Sequence, residues 1–250
     1  MDDVDLSGKV AFVTGGGTGI GAAIAVAYAA AGAATVVIGR RAGPLESVVA
    51  QIEGAGGRAS AVTADVTDLD ATTAAAGYAL ERYGRLDLVV ANAGGAPPFG
   101  PVLDMTSRAW DEIVALNLTG VWNTAKATVP ALVDAGGGAF IVIGSGAGRA
   151  NSGGLGAYSA AKAGASALTR VLAAELRASR VAVNEIVPGP VRTPALSTLG
   201  GEDHGLEERV RAIGEWLKEP DEVARLALYL ASLPPDGTTG QVFSLLGRLV

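Results

Sequence analysis

The chain has no cysteine among its 250 residues, so disulfides, thiolate metal sites and a cysteine nucleophile are excluded. It has one histidine, His204, too few for a histidine-rich metal centre. Charged residues are scarce, at 18% against a usual share of about 25%. The formal net charge is −6 and there is no long basic run, which argues against a nucleic-acid partner. The stretch from Val10 to Gly39 carries no charge, yet it does not read as a membrane span. Six glycines and two threonines interrupt it between Thr14 and Gly32. A span wants about 20 predominantly apolar residues. The opening MDDVDLSGKV is short and acidic and lacks a signal-peptide layout. The expectation is a cytoplasmic protein with no membrane partner.

What is present is a 49% hydrophobic chain of a length that suits one large α/β domain. Short Val- and Ile-rich runs, apolar on both faces, predict buried parallel strands. They fall at Val10–Thr14, Thr35–Gly39, Ala59–Ala64, Leu86–Ala91, Ala139–Gly144, Val181–Val187 and Val242–Leu245. Between them the pattern predicts helices over Ile20–Ala31, Leu45–Gly54, Asp70–Tyr83, Arg108–Ala135, Ala157–Ala178 and Asp221–Ser232. Asp70 is expected to open the third helix. Pro130 is expected to end the helix around Trp122. Alternating strand and helix implies a doubly wound, Rossmann-type sheet, mostly parallel and seven-stranded, with helices on both faces. Residues 1–250 read as one domain. Its irregular stretch at about 188–216 is long for a compact fold and is a candidate lid.

Directly after the first strand comes TGGGTGIG, Thr14–Gly21. A strand–glycine loop–helix run lets backbone approach a pyrophosphate, with the helix N-terminus aimed at the anion. The spacing Gly15-x-x-x-Gly19-x-Gly21 differs from the general G-x-G-x-x-G fingerprint. About 20 residues on, an NAD site usually carries a carboxylate for the ribose 2′-hydroxyl. Here Arg40 and Arg41 occupy that position. Two guanidinium groups suit a 2′-phosphate and so favour NADP. The alternative is two solvated arginines, with the cofactor chosen elsewhere and NAD possible. Further along, Tyr158 and Lys162 lie four apart in GAYSAAKAG, on one face of a predicted helix. A phenol titrates near 10 in isolation. A fixed cation beside it favours the phenolate, and a Tyr so placed can exchange a proton with an alcohol or carbonyl oxygen.

These motifs, in this order, resemble the short-chain dehydrogenase/reductase family, its 3-oxoacyl-thioester reductases included. The resemblance runs from Leu6-Ser7-Gly8-Lys9 to about Leu246. It rests on TGGGTGIG, Asp65-Val66, Asn92-Ala93-Gly94, Asn117, Ser145, Tyr158-x-x-x-Lys162, and Pro188-Gly189 followed by Thr193. It implies that Tyr158 is the catalytic acid/base and that Ser145 orients the substrate oxygen. It implies that Lys162 holds the nicotinamide ribose and that Asn117 anchors a proton-relay water. Gly15, Gly17, Thr18, Gly19, Ile20 and Gly21 would form the cofactor loop. Asp65 and Val66 would flank the adenine, Asn92, Ala93 and Gly94 would line the cleft, and Pro188, Gly189, Val191 and Thr193 would frame the nicotinamide. Two departures stand out: Ala91 replaces a frequent Asn, and Gly240–Arg248 lacks the frequent Asp-Gly-Gly turn.

The expected activity is hydride transfer between NADP(H) and a secondary alcohol or ketone, a 3-oxoacyl thioester or a small ketone. The alternatives are an NAD-dependent alcohol dehydrogenase of the same family and a non-catalytic nucleotide-binding sensor. Phe99, Trp216 and the lid residues Leu196, Leu199 and Leu206 are candidate pocket walls, with Glu202, Asp203 and His204 nearby. The resemblance also implies a homo-oligomer, tetramer or dimer, built on the helices of Asn117 and Tyr158. The small residues Ala160–Ala167 offer the alternative of close packing onto the chain's own sheet.

Overall fold

The computed structural model describes residues 4–95, 99–149, 153–194, 196 and 206–247. Leu199, Glu202, Asp203, His204 and the tip of the loop before Phe99 lie outside the described residues. Seven parallel strands form one sheet in the order β3-β2-β1-β4-β5-β6-β7. They are β1 (Val10–Thr14), β2 (Ala34–Gly39), β3 (Arg58–Thr63), β4 (Leu88–Ala91), β5 (Gly138–Ile143), β6 (Val181–Val187) and β7 (Val242–Ser244). The helices are α1 (Gly19–Ala30), α2 (Ala42–Gly54), α3 (Leu69–Tyr83), α4 (Ser107–Val114), α5 (Gly120–Asp134), α6 (Gly156–Leu176), α7 (Leu206–Ala212) and α8 (Pro220–Ser232). The expected doubly wound architecture is present.

Side chains of β1 show how one strand feeds two cores. Ala11 and Val13 join Ile24, Tyr28, Val37, Ile141 and Val223 on the face of α1, α2 and α8. Val10 and Phe12 join Val36, Ala79, Val121, Phe140 and Ala165 on the face of α3, α5 and α6. The period of two places successive residues on opposite faces, and helices cover both. Chain order reverses between β1 and β4, whose register pairs Val13 with Val90. In such sheets the crevice at the carboxyl ends beside that reversal takes ligands.

The structure corrects several sequence-based boundaries. The segment expected as one helix from Arg108 to Ala135 contains a π-helical turn at Ala115–Thr119, with Asn117 inside it. Helix α5 runs through Pro130 to Asp134 instead of ending there. Pro130 and Lys126 both face outward, so the carbonyl that lacks an amide partner meets water. Asp68, not Asp70, caps α3: its carboxylate accepts from the Ala71 amide at 3.0 Å. Strand β6 is not wholly apolar, since Asn184 and Glu185 are buried within it. The stretch after Pro188 is not wholly irregular either. It includes α7 and a parallel bridge between Val191 and Lys218.

Candidate functional site

A cleft of about 360 Å³ opens at the carboxyl ends of the strands. Its walls include Gly15, Gly17, Thr18, Gly19 and Ile20 from the glycine loop, and Arg40 and Arg41 after β2. Asp65 and Val66 after β3, Asn92–Gly94 after β4, and Ser145 after β5 join them. Tyr158 and Lys162 reach it from α6, and Pro188, Gly189, Val191 and Thr193 from the loop after β6. Two of the expected residues are not on its walls: Gly21 and Asn117.

The glycine loop is held by β4. The Thr14 hydroxyl accepts from the amides of Asn92 at 3.0 Å and Ala93 at 3.1 Å. It donates to the Val90 carbonyl at 3.3 Å. The Asn92 amide donates in turn to the carbonyls of Thr14 at 2.8 Å and Gly15 at 3.2 Å. This cross-bracing explains two glycines. Gly15 has φ +63°, and a Cβ there would stand 2.7 Å from Asn92 Nδ2. A Cβ on Gly21 would collide with the Gly15 carbonyl and with Asn92. The first turn of α1 thus presents bare backbone to the cleft, as a pyrophosphate requires. The loop, the α1 N-terminus and the open walls fit a dinucleotide.

Asn117 is fully buried. Its amide donates to the carbonyls of Gly95 at 2.8 Å and Ile113 at 3.0 Å, and its oxygen accepts from the Gly95 amide at 3.2 Å. The π-helical turn disturbs the regular helical ladder, and the side chain takes up Ile113's carbonyl. Asn117 thus ties the helix to the wall that follows β4. Its oxygen also lies close to Gly94, where a Cβ would be 2.9 Å from it and 3.4 Å from Lys162 Nζ.

Lys162 is 4% exposed and donates to the Ile143 carbonyl at 2.8 Å. Its ammonium lies 5.8 Å from the centre of the Tyr158 ring, within the range of a cation–π contact. Ser145 follows Gly144 at the end of β5. Its hydroxyl accepts from the Ala147 amide at 3.2 Å and so caps a short 3₁₀ turn, Gly146–Gly148. Ser145, Tyr158 and Lys162 therefore meet at one end of the cleft, from a strand end and a helix face.

At the other end the contacts are looser. Arg40 Nη1 is 3.9 Å from Asp65 Oδ2, with the arginine side chain 70% exposed. The second Asp65 oxygen accepts from the Thr67 amide and hydroxyl, both at 2.9 Å. After β6, Arg192 reaches Glu207 of α7 at 2.7 Å and Glu219 at the start of α8 at 2.9 Å. Phe99 and Trp216 do not line the cleft. Phe99 packs at Gly154, and Trp216 lies under the Lys218 ammonium, 3.5 Å from its ring centre. Burial holds that ammonium below the ordinary lysine range, against the pull of Glu215 and Glu222.

Sequence reasoning missed Thr14, Glu185 and Arg149. Glu185 had a signal, being a lone acid inside an apolar strand. Thr14 opens TGGGTGIG, but nothing local in the sequence shows its hold on Asn92.

A family model described as short chain dehydrogenase matches residues 9–203. The chain belongs to the short-chain dehydrogenase family. It is 37% identical to the cis-4-hydroxycyclohexanecarboxylate dehydrogenase of Sinomonas cyclohexanicum, over 96% of this chain and 95% of that one. It is 32% identical to the 3-oxoacyl-[acyl-carrier-protein] reductase FabG of Thermotoga maritima, over 98% and 99% of the two chains. Among solved structures it resembles a putative NAD(P)-dependent gluconate 5-dehydrogenase from Beutenbergia cavernae with bound NADP at low occupancy. That match has a TM-score of 0.88 and 33% identity, over 98% of this chain and 97% of that one. This member of the family is an NAD(P)-dependent oxidoreductase acting on CH–OH groups. None of its described helices is long and apolar enough to cross a membrane.

Proposed function

We propose that this short-chain dehydrogenase interconverts a secondary alcohol and its ketone with NADP(H), and that Tyr158 exchanges the proton at the substrate oxygen. The observation that carries the proposal is the convergence of Ser145, Tyr158 and Lys162 on the cleft that the glycine loop and both arginines also line. Bound cofactor supplies or accepts the hydride. The protein's part is position and proton traffic. Ser145 holds the substrate oxygen toward Tyr158, and Lys162 supplies positive charge beside the phenol. Asn117 fixes the wall at Gly94 and Gly95 and helps seat the relay water. Gly15, Gly17, Thr18, Gly19, Ile20 and Gly21 cradle the pyrophosphate. Asp65 and Val66 flank the adenine, with Asn92, Ala93 and Gly94 beneath. Pro188, Gly189, Val191 and Thr193 frame the nicotinamide.

Arg40 and Arg41 grip a 2′-phosphate, which makes NADP the preferred cofactor. Arg40 is free enough in the cleft to leave Asp65 for a phosphate, since an exposed pair of this kind is worth only about 0–1 kcal/mol. The segment at about 188–216 acts as the lid, with Arg192 joining its helix α7 to the start of α8. The substrate is a compact ketone or a 3-oxoacyl thioester, in line with the names of the two relatives. The enzyme works as a homo-oligomer, dimer or tetramer. Exposed Trp110, Trp122 and Val171 on α4, α5 and α6 support that reading, while Ala165 is used against the chain's own sheet. The test is oxidation of NADPH and NADH, side by side, against ketones that include 3-oxoacyl thioesters. Turnover favouring NADPH is expected. Tight cofactor binding without turnover across the panel would favour the nucleotide-binding sensor instead.

A further inference from the structure

Glu185 is the one charged residue of β6, and its side chain is 1% exposed. A buried carboxylate without partners is strongly destabilising, so its partners indicate what it is for. They lie on the two elements that carry Ser145 and Tyr158. From α6, Ser166 Oγ donates to Glu185 Oε2 at 2.6 Å. From the end of the turn that Ser145 opens, Arg149 Nη2 donates to the same oxygen at 3.1 Å. Arg149 also donates to Ser166 Oγ at 3.1 Å, and Arg170 Nη1 does so at 3.0 Å. The hydroxyl's single donor and both acceptor positions are then in use.

This network continues the catalytic stripe. Tyr158, Lys162, Ser166 and Arg170 are spaced by four along α6, so each neighbours the next along the helix. Its carboxylate also abuts the residue before Ser145, because a Cβ on Gly144 would collide with Glu185 Oε1. The turn itself has no slack against the helix. A Cβ on Gly148 would sit 2.9 Å from the Ala163 amide nitrogen. The near end of the turn is fixed by the Gly144 amide donating to the Ile186 carbonyl at 2.8 Å. Its far end is fixed by Arg149.

We propose that Glu185, acting through Arg149 and Ser166, is a positioning residue for Ser145. The partly buried ion pair locks the Ser145–Arg149 turn to β6 and to α6, and so sets the separation of the Ser145 and Tyr158 hydroxyls. The proposal rests on the reading of those two residues as the reacting pair. Replacing a buried ion pair with well-packed apolar groups is often neutral for stability, and a pair with one exposed partner stabilises still less, so the demand for this one lies in geometry. A misplacement of about 1 Å at a reacting centre can lower the rate by about 10²-fold.

The experiment is a mutant cycle on the best ketone of the panel. Glu185→Gln and Arg149→Met are made singly and together, and Glu185→Gln is also made on Ser145→Ala. If Glu185→Gln does not fold, Ser166→Ala takes its place in every arm. Either single change should lower kcat by about 10- to 10²-fold, with KM and the NADPH Kd within about twofold of wild type. The double variant should be no worse than the worse single. On Ser145→Ala the Glu185 change should cause no further loss. A full multiplicative loss on Ser145→Ala overturns the proposal, as does an unchanged kcat or a kcat that falls only with NADPH affinity. If Ser145→Ala itself keeps wild-type turnover, the reading of the site fails and the proposal falls with it.

Discussion

The two ends of the cleft are built from different materials. At the end of Ser145, Tyr158 and Lys162 the supporting polar groups are buried and hydrogen-bonded: Asn117, behind the wall, is fully buried, Lys162 is 4% exposed, and each has a backbone partner, while Ser145 and Tyr158 are half-buried. At the end of Arg40, Arg41 and Asp65 the groups are long, charged and open, and the Arg40–Asp65 pair stands 3.9 Å apart. Buried polar networks are demanding, since breaking one member leaves its partner uncompensated. Exposed ion pairs can be exchanged at small loss. The proposed chemistry therefore rests on parts that are hard to change, and the proposed choice of cofactor on parts that are easy to change.

The sharpest way to break the contrast is at its buried end. Lys162→Met removes the cation near Tyr158 and leaves the Ile143 carbonyl without its donor. Turnover should fall by about 10²- to 10⁴-fold, the usual share of positioned acid–base chemistry. A loss below tenfold in steady-state kinetics would mean that this end is no more demanding than the other. Next comes the bracing between them. Gly15→Ala forces a side chain into φ +63° and toward Asn92 Nδ2. Backbone strain alone is about 1–2 kcal/mol there. NADPH binding, followed by nucleotide fluorescence, should weaken at least tenfold.

At the open end Arg40→Asp with Arg41→Ala should cut NADPH affinity by about 10- to 10²-fold, given about 1.5–3 kcal/mol for a charge-assisted bond. The NADH-supported kcat should stay as it was. An unchanged NADPH/NADH ratio would make both arginines bystanders. Tyr28→Phe, far from both ends, should move stability and leave kinetics alone. It deletes the bond from the buried phenol to the Ala227 carbonyl, 3.0 Å long, which is worth about 1 kcal/mol. Burial raises that phenol's pKa above its ordinary value of 10.0. Wild-type stability should therefore hold below pH 10.0 and fall above it, where only the unfolded chain releases the proton. The variant should lose less over that alkaline range in urea titrations.

The open and buried ends also differ in how far they could be read beforehand. Strand-and-helix alternation disclosed the sheet because most strands are Val- and Ile-rich runs and many of the turns between elements are marked by glycine. The glycine loop, Arg40–Arg41 and Tyr158–Lys162 were legible because their spacing is local. Asn117 was found through resemblance alone, and its π-helical turn was not visible, since no residue in ALNLT breaks a helix. Pro130 misled because propensity does not say which helix face meets water. Thr14's hold on Asn92 and Glu185's hold on Arg149 join residues 78 and 36 positions apart, beyond any local pattern.

The most direct test of the central claim is single turnover by Tyr158→Phe with NADPH bound and the best ketone in excess. The account predicts an NADPH affinity close to wild type, because the phenol's oxygen is assigned to the substrate, and essentially no ketone reduced. Reduction at a rate comparable to wild type would contradict it and remove Tyr158 from the chemistry.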